Sequence, residues 1–282
     1  MRKSIFDIAS ASINMSNEVD RIVNMSIKEK NTYSPPYDVT LFDFVDERCF
    51  KEWSYRGHFV DVTDFLNSVG YNEIQLSAKN GDVDAFITLI ELTYNFWHLA
   101  EQDIMDENSK SGWHDNFFHL QDVMLDNLEQ YNHRAYLDGE RILVIEDKPE
   151  VSAAAEIVEP DIALDIIRYN HRSLQGELDL KKNIILALGA ELEPKRNELQ
   201  ALNKQLSEDI FFMLNNINIR HNNRSKKDKA KYKEYVAKMS KKQLEKWYDE
   251  LYQMMLLAFL LLDNVERTTK IKDLKGKIGG RK

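Results

Sequence analysis

Cysteine is almost missing from this sequence. Cys49 is the single one in 282 residues, so an intrachain disulfide and a cysteine-built metal cage are both excluded. A reducing compartment suits such a chain. Glycine is sparse as well, and its ten residues are scattered. No glycine-rich phosphate loop, nucleophile elbow or His-Glu-x-x-His zinc motif can be found. That disfavours an NTPase, a nucleotide-cofactor oxidoreductase and a serine hydrolase, and no cofactor or metal is expected. Long apolar runs are absent. The longest, Met254 to Leu262, falls far short of the roughly 20 residues that span a bilayer, and the opening Met-Arg-Lys-Ser-Ile-Phe lacks the apolar stretch of a signal peptide. The expectation is a cytoplasmic protein that does not enter membranes.

What is present suffices for a core. Hydrophobic residues make up 43% and aromatics 10%. The length suits one large or two ordinary domains. A net charge of -9 and a pI near 5.4 argue against wholesale coating by nucleic acid. The charge is uneven, however. From Arg220 to Lys246 there are eleven Lys or Arg residues, opposed only by Asp228, Glu234 and Glu245, and the acidic excess lies mostly before residue 170.

Periodicity reads as mainly α: a helical N-terminal domain with a small β-hairpin, then a C-terminal α-helical bundle. Residues 4–30 suggest one or two short helices, and Ser34-Pro35-Pro36 breaks the chain. Residues 40–56 are spaced helically, and a short helix from Asp61 ends at Gly70. Core helices are expected from Asp82 or Asp84 to about Glu101 and from His114 to about Tyr131, around a polar loop at 105–113. Asp138-Gly139, set between apolar runs, predicts a hairpin near 134–145, because Asp-Gly supplies the positive φ angles of a tight primed turn. Such a hairpin must lie on helices or pair further.

Lys148-Pro149 and Glu159-Pro160 mark the domain boundary, giving domains at 1–150 and 160–267 and a basic, flexible tail at 268–282. Within the second domain, helices are expected at 162–169, at 178–192 up to Pro194, which kinks or ends it, and at 195–203. Ser207 is expected to cap the next helix. Ser240-Lys-Lys-Gln243 reads as a capping box for a longest helix that ends near Arg267.

Chemistry concentrates in residues 205–224, at the end of the helix over 206–217. There Asn215, Asn216, Asn218, Arg220, His221, Asn222, Asn223 and Arg224 crowd together. An imidazole can move a proton near neutral pH and a guanidinium can hold a phosphate, which are the two roles that RNA cleavage requires. The structural reading of the same residues is a helix C-cap, since asparagine tolerates left-handed backbone and cations suit the helix end. Lys226, Lys227 and Lys229, with Tyr232 and Tyr235 interleaved, could track a nucleic-acid backbone, or be a solvated loop. Arg168 and His171 form a candidate second basic wall. Asp115, His119 and Asp122 share one helical face, more simply a solvated one than a metal site. Trp53 to His58 reads as loop packing.

The helices at 178–203, 206–217 and 240–265, with the Asn/Arg/His element before the last, resemble the HEPN superfamily. More narrowly, they resemble the HEPN domains of abortive-infection proteins, over roughly residues 161–267. That resemblance implies a helical bundle, often dimeric, that cuts RNA without a metal. The family's usual motif is an Arg followed at four to six residues by a His. In this sequence Arg220 directly precedes His221, and Asn216 stands at the motif spacing. The expected function is a metal-independent RNA-cleaving effector of a bacterial antiphage system. His221 would transfer the proton, Arg220 would act as phosphate cation and Asn216 as orienting amide. Arg224, Lys226, Lys227, Lys229, Arg168 and His171 would hold RNA. The expected partners are RNA, a second copy in a homodimer and another defence-system protein. The alternative is a non-catalytic helical interaction or RNA-binding protein.

Overall fold

The structure, a computed structural model, describes residues 14–30, 32–34, 37–106, 115–227 and 229–279. It is mainly helical, with two small antiparallel hairpins. Two compact units divide the chain, Met1–Val144 and Ile145–Lys282, and the division falls just before the proline-marked stretch at 147–160. The part before residue 14 of the stretch expected to hold one or two short helices, the Pro35-Pro36 break, most of the polar loop at 105–113 and the final Arg281-Lys282 lie outside the described residues.

In the first unit, α1 is Met15–Val23, α2 Leu41–Phe44, α3 Val62–Ser68, α4 Tyr71–Lys79, α5 Val83–Asp106 and α6 Asp115–Gln130. Strands β1 (Thr32–Ser34) and β2 (Tyr37–Val39) pair antiparallel, as do β3 (His133–Asp138) and β4 (Arg141–Glu146). Aromatic rings dominate the core. Trp97 stacks on Phe117 at 4.9 Å and donates its indole N–H to the Phe117 carbonyl at 2.8 Å. Phe42, Phe50, Trp53 and Phe65 pack around Phe96.

The β3–β4 hairpin rests on α5 through polar bonds. The Asn95 side chain both donates to and accepts from the Ile142 backbone at 2.9 Å, and the Glu91 carboxylate accepts from the Val144 N–H at 2.7 Å. This meets the requirement that an isolated hairpin find support. Its turn differs from expectation. Asp138 stays in β3, buried and paired with Arg141 at 2.8 Å, and only Gly139 takes a positive φ, +64°. Two further elements carried no clear signal. The β1–β2 hairpin straddles the prolines expected only to break the chain, and α4 begins directly after Gly70, where a helix end was expected.

In the second unit, α7 is Pro149–Ala155, α8 Pro160–Tyr169, α9 Leu178–Leu192, α10 Arg196–Leu202, α11 Lys204–Asn216, α12 Glu234–Lys238 and α13 Lys241–Gly279. Both boundary prolines sit in the first turn of a helix, where a missing N–H costs nothing and the fixed φ is already helical. α13 packs against α7, α9, α10 and α11 through Leu244, Leu251, Met255, Leu256 and Phe259, all buried. Its start is the expected capping box: the Gln243 N–H donates to Ser240 Oγ at 3.2 Å and the Ser240 N–H to Gln243 Oε1 at 2.9 Å. Its end is not where the apolar pattern stops. The helix passes Arg267 and runs to Gly279, so residues 268–279 are helical and 268–278 exposed.

Candidate functional site

The polar cluster is built on the end of α11. Asn203 caps this helix, accepting from the Leu206 N–H at 3.0 Å. Ser207, the expected cap, instead lies inside the helix and is buried. Ile210, Phe211 and Leu214 face the core. In the last turn two asparagines fold back on their own helix. The Asn215 amide donates to the Phe211 carbonyl at 2.7 Å and the Asn216 amide to the Phe212 carbonyl at 2.8 Å. Both carbonyls face a helix end and receive extra donors in this way. Asn218 then takes the left-handed conformation, φ +67°, as asparagine does past a helix end. The Arg220 N–H closes on the Leu214 carbonyl at 2.9 Å.

Asn223 organises the following loop and is 0% exposed. Its Oδ1 accepts from the Asn218 N–H at 2.8 Å, and its amide donates to the Lys231 carbonyl at 2.7 Å. Its backbone N–H donates to the His221 carbonyl at 2.9 Å and its carbonyl accepts from the Lys233 N–H at 2.8 Å. Four bonds from one buried residue pin the ends of a basic loop together. Four of the five asparagines therefore have structural work, and Asn222 alone is exposed without a bond from its side chain.

The three side chains expected to share a catalytic site make no hydrogen bond to one another. The Arg220 guanidinium pairs with Glu193, just past the end of α9, and lies 5.6 Å from the Phe211 ring centre. Arg196 covers the same ring at 4.4 Å and also approaches Glu193, at 3.8 Å. Arg220 thus belongs to an Arg–Glu–Arg junction between α9, α10 and α11. His221 is half-buried, and its imidazole has no hydrogen-bond or ion-pair partner among the described residues. Asn216 lines a groove on another side, described below. Arg224 donates to the Met239 carbonyl at 3.1 Å, tying the loop to the start of α13. Lys226, Lys227 and Lys229 are exposed, with the Lys226 ammonium 5.9 Å from the Tyr232 ring.

Arg168 and His171 do not join this cluster. Arg168 is 3.6 Å from Asp165 on its own helix. His171 is buried, holds Ser173 Oγ at 2.7 Å and lines a cavity of about 440 Å³ to which no residue of the 217–233 loop contributes. The same cavity is lined by the buried Lys181, whose ammonium sits 2.8 Å from both Glu245 and Asp249. Tyr169 and Tyr252 stack in parallel at 4.0 Å. The Tyr169 hydroxyl donates to Asp249 at 2.9 Å and the Asn170 amide to the Tyr252 hydroxyl at 2.6 Å. Burial, followed by the Asp249 charge, pushes the Tyr169 phenol well above its ordinary value. Burial tends to push Glu245 up, but bonds from Lys181 and the Gly176 N–H outweigh it and hold the carboxyl below its ordinary value. Lys181, Glu245 and Asp249 escaped the sequence reading because each looks like a surface charge, and only the fold brings them together.

A second cavity, of about 340 Å³, lies beside the last turns of α11. Met213, Ile217, Val236 and Met239 are buried beneath it, while Phe212, Tyr235 and Trp247 are 63%, 76% and 44% exposed. In the first unit, His119 Nε2 is 2.9 Å from the Arg21 guanidinium, and no cluster of three His, Cys, Asp or Glu suited to a metal ion occurs among the described residues. Trp53 is packed into the aromatic core, and the His58 ring lies against Phe59 at 4.3 Å. Among the described residues no helix is long and apolar enough to cross a membrane. No family model matches this chain, and neither does any curated protein or solved structure.

Proposed function

We propose that this chain is an RNA-directed effector of the HEPN type, belonging to an antiphage defence system and cutting RNA without a metal. His221 is the proton-transfer group, and the lysines of the 217–233 loop hold the backbone. The N-terminal unit senses the trigger or restrains the effector, and the active form is a homodimer. The observation that carries this reading is the loop itself. A buried Asn223 with four hydrogen bonds fixes it, and on that fixed frame the chain presents an unpartnered imidazole and exposed lysines. Preorganised cations beside a proton-transfer group are what cleavage next to a 2′-hydroxyl requires. For Arg220 to serve as phosphate cation, its pairing with Glu193 must give way to the substrate.

That same pairing favours a second reading, a non-catalytic RNA-binding protein. Arg220 is held by Glu193 and the Asn216 amide by the Phe212 carbonyl, and neither bonds to His221, so the chain as it stands holds no hydrogen-bonded acid–base site among these three. One assay separates the two. Purified protein is incubated with a single-stranded RNA in EDTA, and both cleavage and binding are measured for the wild type and for His221→Ala. The first reading expects cleavage that His221→Ala abolishes, with unchanged thermal unfolding. Binding without cleavage, unaltered by His221→Ala, establishes the second. Cleavage that appears only with added metal overturns the first.

A further inference from the structure

The groove beside α11 has an unusual make-up for a soluble surface. Its floor is apolar and buried, yet three aromatic rings stand out at its edges: Phe212 from α11, Tyr235 from α12 and Trp247 from α13. Exposed aromatics grouped on one concave surface mark a binding site. A volume of about 340 Å³ falls in the ~300–1,000 Å³ range of small-ligand pockets. Among the described residues no acidic side chain lines it, and Lys233 is the charged residue that does. Asn216 stands on its wall, with one amide N–H donated to the Phe212 carbonyl and no partner for its Oδ1 among the described residues. Lys226, Lys227, Lys229, Lys241, Lys242 and Lys246 are exposed on the elements and the loop that frame it, outnumbering the exposed Glu208, Glu234 and Glu250 on the same helices.

An apolar slot with aromatic edges and a frame in which lysines outnumber carboxylates fits a strand of nucleic acid whose bases are unstacked. The bases stack on the rings while the lysines follow the phosphates. A duplex does not fit, because its bases are stacked and paired and offer no face. A second copy of the chain fits poorly. In a two-fold contact the same patch meets itself, so a rim of net positive charge would face its own copy across an apolar seam. We infer that this groove binds single-stranded RNA, seating one or two unstacked bases between Phe212, Tyr235 and Trp247, with Asn216 Oδ1 accepting from a base amino group or a ribose hydroxyl. The inference rests on the RNA-directed reading above and extends it. Asn216 belongs to substrate binding rather than to orienting His221.

The test is fluorescence anisotropy with a labelled single-stranded RNA and the same RNA as a duplex, for the full chain and for Trp247→Ala, Tyr235→Ala and Trp247→Phe. The wild type is expected to prefer the single strand. Each alanine variant should lose about tenfold or more in single-strand affinity, the scale of one lost base–ring stack, with little change for the duplex, and Trp247→Phe should retain most of the binding. Both positions are exposed, so thermal unfolding should match the wild type. If RNA still binds but the alanine variants bind single strands as well as before, the groove inference fails while the RNA reading stands. If the wild type binds no RNA, both fail. If the wild type instead sediments as a dimer that Trp247→Ala dissociates, with RNA affinity unchanged, the groove is a contact between copies and the inference is overturned.

Discussion

Two residues carry more of this fold than their types suggest. Asn223 replaces a stretch of regular structure, since its side chain and backbone together satisfy Asn218, Lys231, His221 and Lys233. Asn223→Ala strands the Asn218 N–H and the Lys231 carbonyl, and losing such bonds costs about 1–3 kcal/mol. Urea unfolding should show that loss, and Asn223→Asp, which keeps the acceptor, should lose less. Lys181 is the second. Buried between Glu245 and Asp249, it cannot be removed without leaving carboxylates unpaired. Lys181→Met should cost about 3 kcal/mol near neutral pH, the low end for a broken buried pair, because Asp249 is half-exposed. Since Glu245 is held below its ordinary value of 4.5, the stability this pair contributes is complete above about that pH. It fades as pH falls through the lowered value. Unfolding midpoints measured from pH 7 down to pH 3 should therefore converge for wild type and variant. A gap that stays constant would assign the role of Lys181 to packing instead of charge.

At the scale of elements, what could be read beforehand follows the range of the interaction. The Ser240–Gln243 capping box was legible because both partners lie within one turn, and Pro194 ends α9 by its own covalent structure. The β3–β4 hairpin was legible from Gly139. Ser207 was misread because Asn203 offers the same capping chemistry one turn earlier, and burial of the Ser207 face chose between them. The end of α13 was misread because the apolar stripe stops while helix-favouring Lys and Leu residues continue. For the site, the position of the cluster at the end of α11 could be read, but its wiring could not. Glu193 precedes Arg220 by 27 residues and Lys181 precedes Asp249 by 68, and no local pattern marks such pairs. One close approach also tests the packing. A Cβ on Gly189 of α9 would stand 3.1 Å from both methyls of Leu214 on α11. Gly189→Val should force the two helices apart at the base of the loop, costing about 1–3 kcal/mol, readable as a lowered urea midpoint. A midpoint equal to the wild type would mean that Leu214 moves aside freely.

The whole molecule is divided in charge. Of its 38 Lys and Arg and 47 Asp and Glu, residues 145–282 hold 26 and 22, a net of +4, which leaves 12 and 25, a net of -13, in residues 1–144. An overall negative protein can engage RNA only where local cations outweigh the rest, and the segment after α11 is that place. Contacts of this kind release counterions, so log affinity for a single strand falls with log salt by about 0.7 per phosphate neutralised. Replacing Lys226, Lys227 and Lys229 together by Gln should therefore flatten the slope by about 2, while leaving the fold intact because all three are exposed. Lost aromatic stacking, by contrast, lowers affinity at every salt concentration without changing the slope. Binding titrations from 50 to 400 mM salt separate the two contributions. A slope that the lysine variant leaves unchanged would place the phosphate contacts elsewhere, and would remove the loop beyond α11 from the RNA-binding surface.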